Sequence, residues 1–172
     1  MTDVGIRNDS KVELSMSDPS VQPTVPPNDI HALVVDDEPA NRDFLVRLLQ
    51  QAKLEVHGAG SGKRALEIMS ELGDSIKLVM LDRQLPDGTG IEILESIRQK
   101  FPDVVIVMAT MHDERAMIRE AFEKGCNAFL VKPHGFMELY RMVAAAREDV
   151  GDFQCLDGLI FDHYGKRQWR GY

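Results

Sequence analysis

Cysteine is scarce in this chain. Its two thiols, Cys126 and Cys155, lie far apart and fall into no CxxC or Cys/His zinc pattern. That excludes a disulfide framework and a structural zinc site of this kind, and suits idle or buried thiols in a reducing compartment. Long apolar runs are missing too: no segment approaches the roughly 18 residues of a spanning helix. The opening "MTDVGIRNDSKVELSMS" has no positive start leading into an apolar core, so neither a membrane span nor a secretory signal is expected, and the expected location is cytoplasmic. Positive charge is in deficit. With Lys+Arg 20 against Asp+Glu 28 the formal net charge is -8, which disfavours general nucleic-acid binding, a role that rests on clustered cations.

What is present fits one ordinary domain with tails, since 172 residues leave room for about 100 to 150 in a single core. Residues 1–29, rich in Ser, Asp and Pro, read as a flexible N-terminal arm, because "PSVQPTVPPND" sustains neither a helix nor an interior strand. From residue 30 onward, short apolar runs alternate with segments of helical period, and there is no internal repeat. The strand candidates are 31–35, 55–59, 77–81, 104–109 and 128–131. Three are apolar throughout, as expected of parallel strands covered on both faces. Helices are predicted near 39–52, 62–72, 89–100, 114–124 and 136–148. The first places Phe44, Leu45, Leu48, Leu49 and Ala52 on one face, with Pro39 in its opening turn. Ser61 and Asp113 suit N-caps, and Gly125 suits a helix end. Five repeats of strand then helix predict an α/β fold, a doubly wound five-stranded parallel sheet with helices on both faces over residues 30–148.

In such sheets ligands bind beyond the carboxyl ends of the strands. There the polar residues gather: Asp36 and Asp37 after the first strand, Asp82 after the third, Thr110 after the fourth and Lys132 after the fifth. If the first and third strands adjoin, three carboxylates converge, and each close pair costs on the order of a few kcal/mol at an effective dielectric constant near 20. A divalent cation relieves that repulsion. Oxygen ligands without His or Cys suit Mg2+, with Mn2+ as an alternative. A metal-bound carboxylate beside a lysine and a hydroxyl is arranged to accept a phosphoryl group. Asp82, alone on its strand end, is the candidate nucleophile, Lys132 the phosphate-side cation and Thr110 the hydroxyl.

"LVVDDEPANR", "VMLDRQLPDGTGIEIL", "VIVMAT" and "GCNAFLVKP" together resemble the receiver domain of two-component response regulators. The resemblance implies the flavodoxin-like strand order 2-1-3-4-5 and a phosphoacceptor at Asp82, loaded by a sensor histidine kinase or a phosphotransfer protein. It also implies Mg2+ held by Asp37, Asp82 and the backbone carbonyl of Gln84, with Asp36 acting through water. Thr110 and Phe129 match the switch pair, Lys132 the motif lysine, and Lys132–Pro133 a bond the family usually holds cis. The output implied is a protein–protein surface around the fourth helix and fifth strand, read by a downstream protein. Such a domain is no enzyme beyond its own phosphoryl transfer and dephosphorylation.

Some positions depart from the family pattern. Met111 stands where a small residue is common, and a long side chain there is expected to slow phosphorylation by small donors. Thr89 replaces an acid, flanked by Gly88 and Gly90, which keep the turn flexible. Gln84 and His112 occupy variable positions. His31, His57, His134 and His163 show no ligand spacing and read as ordinary surface or strand-end residues. The C-terminal extension, 149–172, reads as two short strands around "HYGK", packed on the domain or forming a homodimer. Its aromatics and cations, Trp169 and Arg170 among them, are a weaker pointer to nucleic acid. Two rivals to a phosphorylated switch remain: a receiver-like adaptor that signals without phosphate, and a small phosphohydrolase with Asp82 as nucleophile.

Overall fold

The computed structural model describes residues 30–149 and 152–171; the arm predicted at 1–29 lies outside them. The apolar runs form parallel strands and the periodic segments form the helices between them. In chain order these are β1 (His31–Val35), α1 (Pro39–Gln51), β2 (Glu55–Ala59), α2 (Gly62–Leu72), β3 (Ile76–Asp82), α3 (Gly90–Lys100), β4 (Val105–Thr110), α4 (Arg115–Glu123), β5 (Ala128–Val131) and α5 (Phe136–Glu148). A 3-10 turn (Phe153–Leu156) then leads into β6 (Leu159–Asp162) and β7 (Gly165–Gln168).

The sheet order is β2-β1-β3-β4-β5-β6-β7, so the expected 2-1-3-4-5 arrangement is present and two strands longer than five. β6 pairs parallel to β5, and β7 turns back antiparallel on β6. The cause is burial: Phe153, Leu156, Ile160 and Phe161 are all sealed in the core, so the extension completes the sheet instead of standing off it.

Alternate residues of one strand serve opposite faces, which is why the central strands are apolar throughout. Ala32 and Val34 of β1 join Leu45, Leu49, Leu139 and Val143 of α1 and α5. Leu33 and Val35 join Met69, Leu94, Ile97 and Ile118 of α2, α3 and α4. Phe44, expected on the buried face of α1, is instead 47% exposed. It lies 100° round the helix from Leu45, at the stripe's margin, and leans on the Phe136 ring with centroids 5.1 Å apart.

Ser61 caps α2, its side chain accepting from the Arg64 amide at 3.2 Å. Asp113 does not cap α4. That helix opens one residue later, where the Ile118 amide donates to the Glu114 carbonyl at 3.1 Å, and Glu114 is an N-cap without a side-chain bond. Gly125, just past the end of α4, has φ 101°, the left-handed region that favours glycine. The β1–β2 pairing brings together two of the histidines read as ordinary surface or strand-end residues: His31 Nδ1 and His57 Nε2 are 2.8 Å apart. Burial, then the neighbouring His31, holds the His57 imidazole below its usual pKa.

Candidate functional site

The polar residues at the carboxyl ends of β1, β3 and β5 meet at one edge of the sheet. Asp36 continues the ladder one step past β1, its amide donating to the Ala59 carbonyl at 3.0 Å. Its Oδ1 accepts from the Glu38 amide at 3.0 Å, its Oδ2 from Lys132 Nζ at 2.5 Å, and its carbonyl from Arg42 Nη1 at 2.8 Å. Every one of these acceptors is satisfied, which is how a carboxylate only 1% exposed is tolerated. Asp37 beside it points to solvent. Asp82, half-buried at the end of β3, meets Lys132 Nζ at 3.3 Å. Burial raises the Asp82 carboxyl above its ordinary pKa, Lys132 opposes that shift, and the Asp36 charge adds to it.

One carboxylate oxygen from each of Asp36, Asp37 and Asp82 lies within 4.8 Å of the other two. A single ammonium against three carboxylates leaves two negative charges in a partly dry setting. Hard oxygen donors with that surplus fit a divalent cation of the Mg2+ class.

Lys132 is placed by its backbone. Its amide donates to the Thr110 carbonyl at 2.8 Å, and the Lys132–Pro133 bond is cis. Thr110 follows Ala109, the register partner of Asp82, and is buried, its hydroxyl accepting from the His112 amide at 3.3 Å. Phe129 is not at this edge. It sits within β5 between Met108 and Ile160, wholly buried, two residues before Val131, the partner of Thr110. Gln84 lies in a short antiparallel ladder, paired with Thr89. Met111 stands 63% exposed.

Three supporting residues escape a reading of motifs. Arg42 holds the Asp36 carbonyl from α1. Asp87 accepts from the Gly62 and Lys63 amides, both at 2.8 Å, tying the loop after β3 to the start of α2. Those bonds hold its carboxyl below the usual range. Gly90, read as a source of flexibility, is instead a close approach: a Cβ there would stand 2.1 Å from the Asp82 carbonyl oxygen, and its amide donates to the Arg83 carbonyl at 2.6 Å. Thr89, in place of an acid, forms a capping box with Glu92 at the head of α3. Of these only the Thr89–Glu92 spacing carries a recognised local signal; Arg42 and Gly90 bond backbone groups six and seven residues away, and Asp87 bonds amides 24 and 25 residues back.

Among the described residues no helix is long and apolar enough to cross a membrane. Residues 32–144 match the model of the response regulator receiver domain. The chain is 33% identical over 112 residues to the two-component response regulator ORR3 of Oryza sativa subsp. indica, an alignment covering 64% of this chain and 85% of that protein. It is 33% identical over 115 residues to the response regulator protein PilR of Pseudomonas aeruginosa, covering 67% of this chain and 25% of that larger protein. A solved response regulator receiver domain protein from Clostridium thermocellum superposes with a TM-score of 0.63 at 27% identity, covering 74% of this chain and 98% of that one. With the family model spanning most of the chain and the acids and lysine gathered at the expected strand ends, the chain belongs to the response regulator receiver domain family of two-component signalling.

Proposed function

We propose that this receiver is a phosphorylation switch in which Asp82 accepts a phosphoryl group from a sensor histidine kinase or phosphotransfer protein. The observation that supports it best is Lys132, whose Nζ lies between Asp36 and Asp82 beside an exposed Asp37. An Asp82 oxygen bonds to phosphorus as the bond from phosphorus to the donor's imidazole nitrogen breaks, that nitrogen keeping the electron pair, and the ring, protonated on its other nitrogen, leaves as a neutral imidazole. Lys132, already aimed at Asp82, then faces the new phosphoryl oxygens. Asp37, Asp82 and the Gln84 carbonyl would hold Mg2+ directly, Asp36 through water. The ion's contribution is to neutralise charge spread over the transferred oxygens.

The phosphoryl group brings nearly two negative charges and strong acceptors. Thr110, whose hydroxyl now only accepts a long bond from His112, has a better partner in that state, and Phe129 follows it as the aromatic half of the switch. α4 begins a few residues beyond Thr110. Between α4 and the β6–β7 hairpin runs a groove of about 630 Å³ whose lining includes Arg115, Arg119, Arg170 and Trp169, together with the acid Asp113 and Arg167, which Asp162 already engages at 2.8 Å. Its cations stand out on a chain of net charge -8, so an acidic segment of a downstream protein is the partner it fits.

Incubation with Mg2+ and acetyl phosphate or a phosphorylated phosphotransfer protein tests the switch. An acid-labile phosphoryl adduct is expected by intact mass on the wild type and none on Asp82→Asn. An adduct that survives in Asp82→Asn places the chemistry elsewhere. No adduct from either donor sinks the reading and leaves a phosphate-independent adaptor.

A further inference from the structure

We propose that His31, Glu55 and His57 form a second cation site, selective for a borderline transition metal of the Zn2+ class, at the end of the sheet opposite the acidic cluster. β1 runs from His31 to Val35 before reaching Asp36, so the two sites stand roughly 16 Å apart at about 3.3 Å per residue. The parallel register pairs His31 with Glu55 and Leu33 with His57. Side chains alternate along strands, so these three share one face.

The groups converge closely. One ligand atom from each lies within 4.8 Å of the other two. His31 Nδ1 and His57 Nε2 are 2.8 Å apart, and His31 Nε2 is 3.9 Å from Glu55 Oε2. The two imidazole planes are only 7° apart with centroids separated by 5.2 Å. At that contact a proton on one ring nitrogen is shared with the other; a metal ion takes the proton's place. Tetrahedral Zn2+ binds imidazole nitrogen at about 2.0–2.1 Å, which sets two such nitrogens about 3.3 Å apart. The pair therefore opens by about half an ångström, and Glu55, exposed on a flexible stem, closes over it.

The donor set decides the metal. Two imidazoles with one carboxylate favour Zn2+, Ni2+ or Cu2+ over Mg2+, which prefers oxygen and is better served by Asp36, Asp37 and Asp82. β2 is the edge of the sheet and the most exposed strand of the parallel set, so the site is open to solvent and the ion would clamp the edge strand to β1. Glu55 and His57 stand two residues apart on β2, and His31 on β1 lies 24 and 26 residues before them in the chain, so the spacing within β2 alone does not reveal the third ligand.

The full chain, kept in excess Mg2+ to occupy the acidic cluster, is titrated with Co2+ and then with Zn2+ in competition. One Co2+ per chain is expected, with the visible d–d bands of a nitrogen-ligated ion, displaced by Zn2+ at micromolar concentration, and the thermal midpoint rises with Zn2+. His31→Gln and His57→Gln, near-isosteric changes on half-buried positions, are expected to weaken binding at least about tenfold. Asp37→Asn is expected to leave it unchanged. Circular dichroism confirms that each variant is folded. Binding that persists in both His variants, binding lost only in Asp37→Asn, or no binding by the folded wild type at millimolar metal each overturns the proposal. None of these outcomes depends on Asp82 chemistry.

Discussion

Lys132 is the ammonium set between Asp36 and Asp82, and it is 4% exposed. Removing one partner of a buried pair costs about 3 to 5 kcal/mol, because the remaining charge is left without compensation. Lys132→Ala is therefore expected to lower the metal-free unfolding midpoint strongly, with Mg2+ restoring part of the loss through binding to the folded state. Asp82→Asn is expected to move it the other way at neutral pH. Burial pushes the Asp82 carboxyl up, so the folded chain holds a proton there more tightly than the unfolded chain does. Stability from this group is complete below its unfolded pKa and is lost as the pH rises through the raised folded value; asparagine has no such loss. Calorimetry of the three proteins in EDTA should rank them Asp82→Asn, wild type, Lys132→Ala, and equal midpoints would show that the triad carries no net stability. Asp36, Asp37, Asp82, Thr110 and Lys132 were legible in the sequence because each closes an apolar run. Arg42, Asp87 and Gly90 were not, since each acts on a backbone group and leaves no pattern of side chains to read.

Helices and strands followed their periodicity, and the misses fall where local pattern has no say. The N-cap of α4 shifted from Asp113 to Glu114 because backbone bonding, not cap preference, fixed the first turn. The turn in the extension was legible, yet no local signal tells β6 to pair parallel with β5; that pairing follows from burying Ile160 and Phe161 against both sides of the sheet. A chain ending at residue 151 tests what the hairpin contributes. It loses Phe153, Leu156, Ile160 and Phe161 from the core, each worth about 1.5–3 kcal/mol on full burial, and it uncovers the edge of β5. An exposed edge strand pairs readily with another chain. Light scattering should find the full chain monomeric and the truncated chain associated, with a lower unfolding midpoint. A truncated chain that stays monomeric with an unchanged midpoint would mean that the hairpin is an ornament of the sheet.

Across the whole molecule, one row of register partners runs from the acidic cluster to the far edge: Asp82 to Ala109, Leu130, Phe161 and Lys166. The row crosses four strand gaps, about 19 Å at some 4.8 Å each, so Asp82 and the hairpin belong to one continuous sheet. α5 covers one face of the hairpin, with Lys166 3.9 Å from Glu138, and α4 lies on the other, where Trp169 stacks on Phe122 with centroids 5.1 Å apart and planes 5° from parallel. Trp169 is the chain's single tryptophan, which makes its emission a direct reading of that seam. If phosphorylation moves Thr110 as proposed and that movement carries into α4, Phe122 moves relative to a hairpin fixed to the sheet and the stack changes. Acetyl phosphate with Mg2+ is therefore expected to alter Trp169 emission in the wild type, at the rate at which the adduct appears by mass, and to leave Asp82→Asn unchanged. Replacing Phe122 by Leu should remove most of the signal without preventing phosphorylation. An adduct that forms with no change in emission would separate the two halves of the mechanism. Asp82 would remain the acceptor, but the surface that reports its state would lie away from α4 and the hairpin.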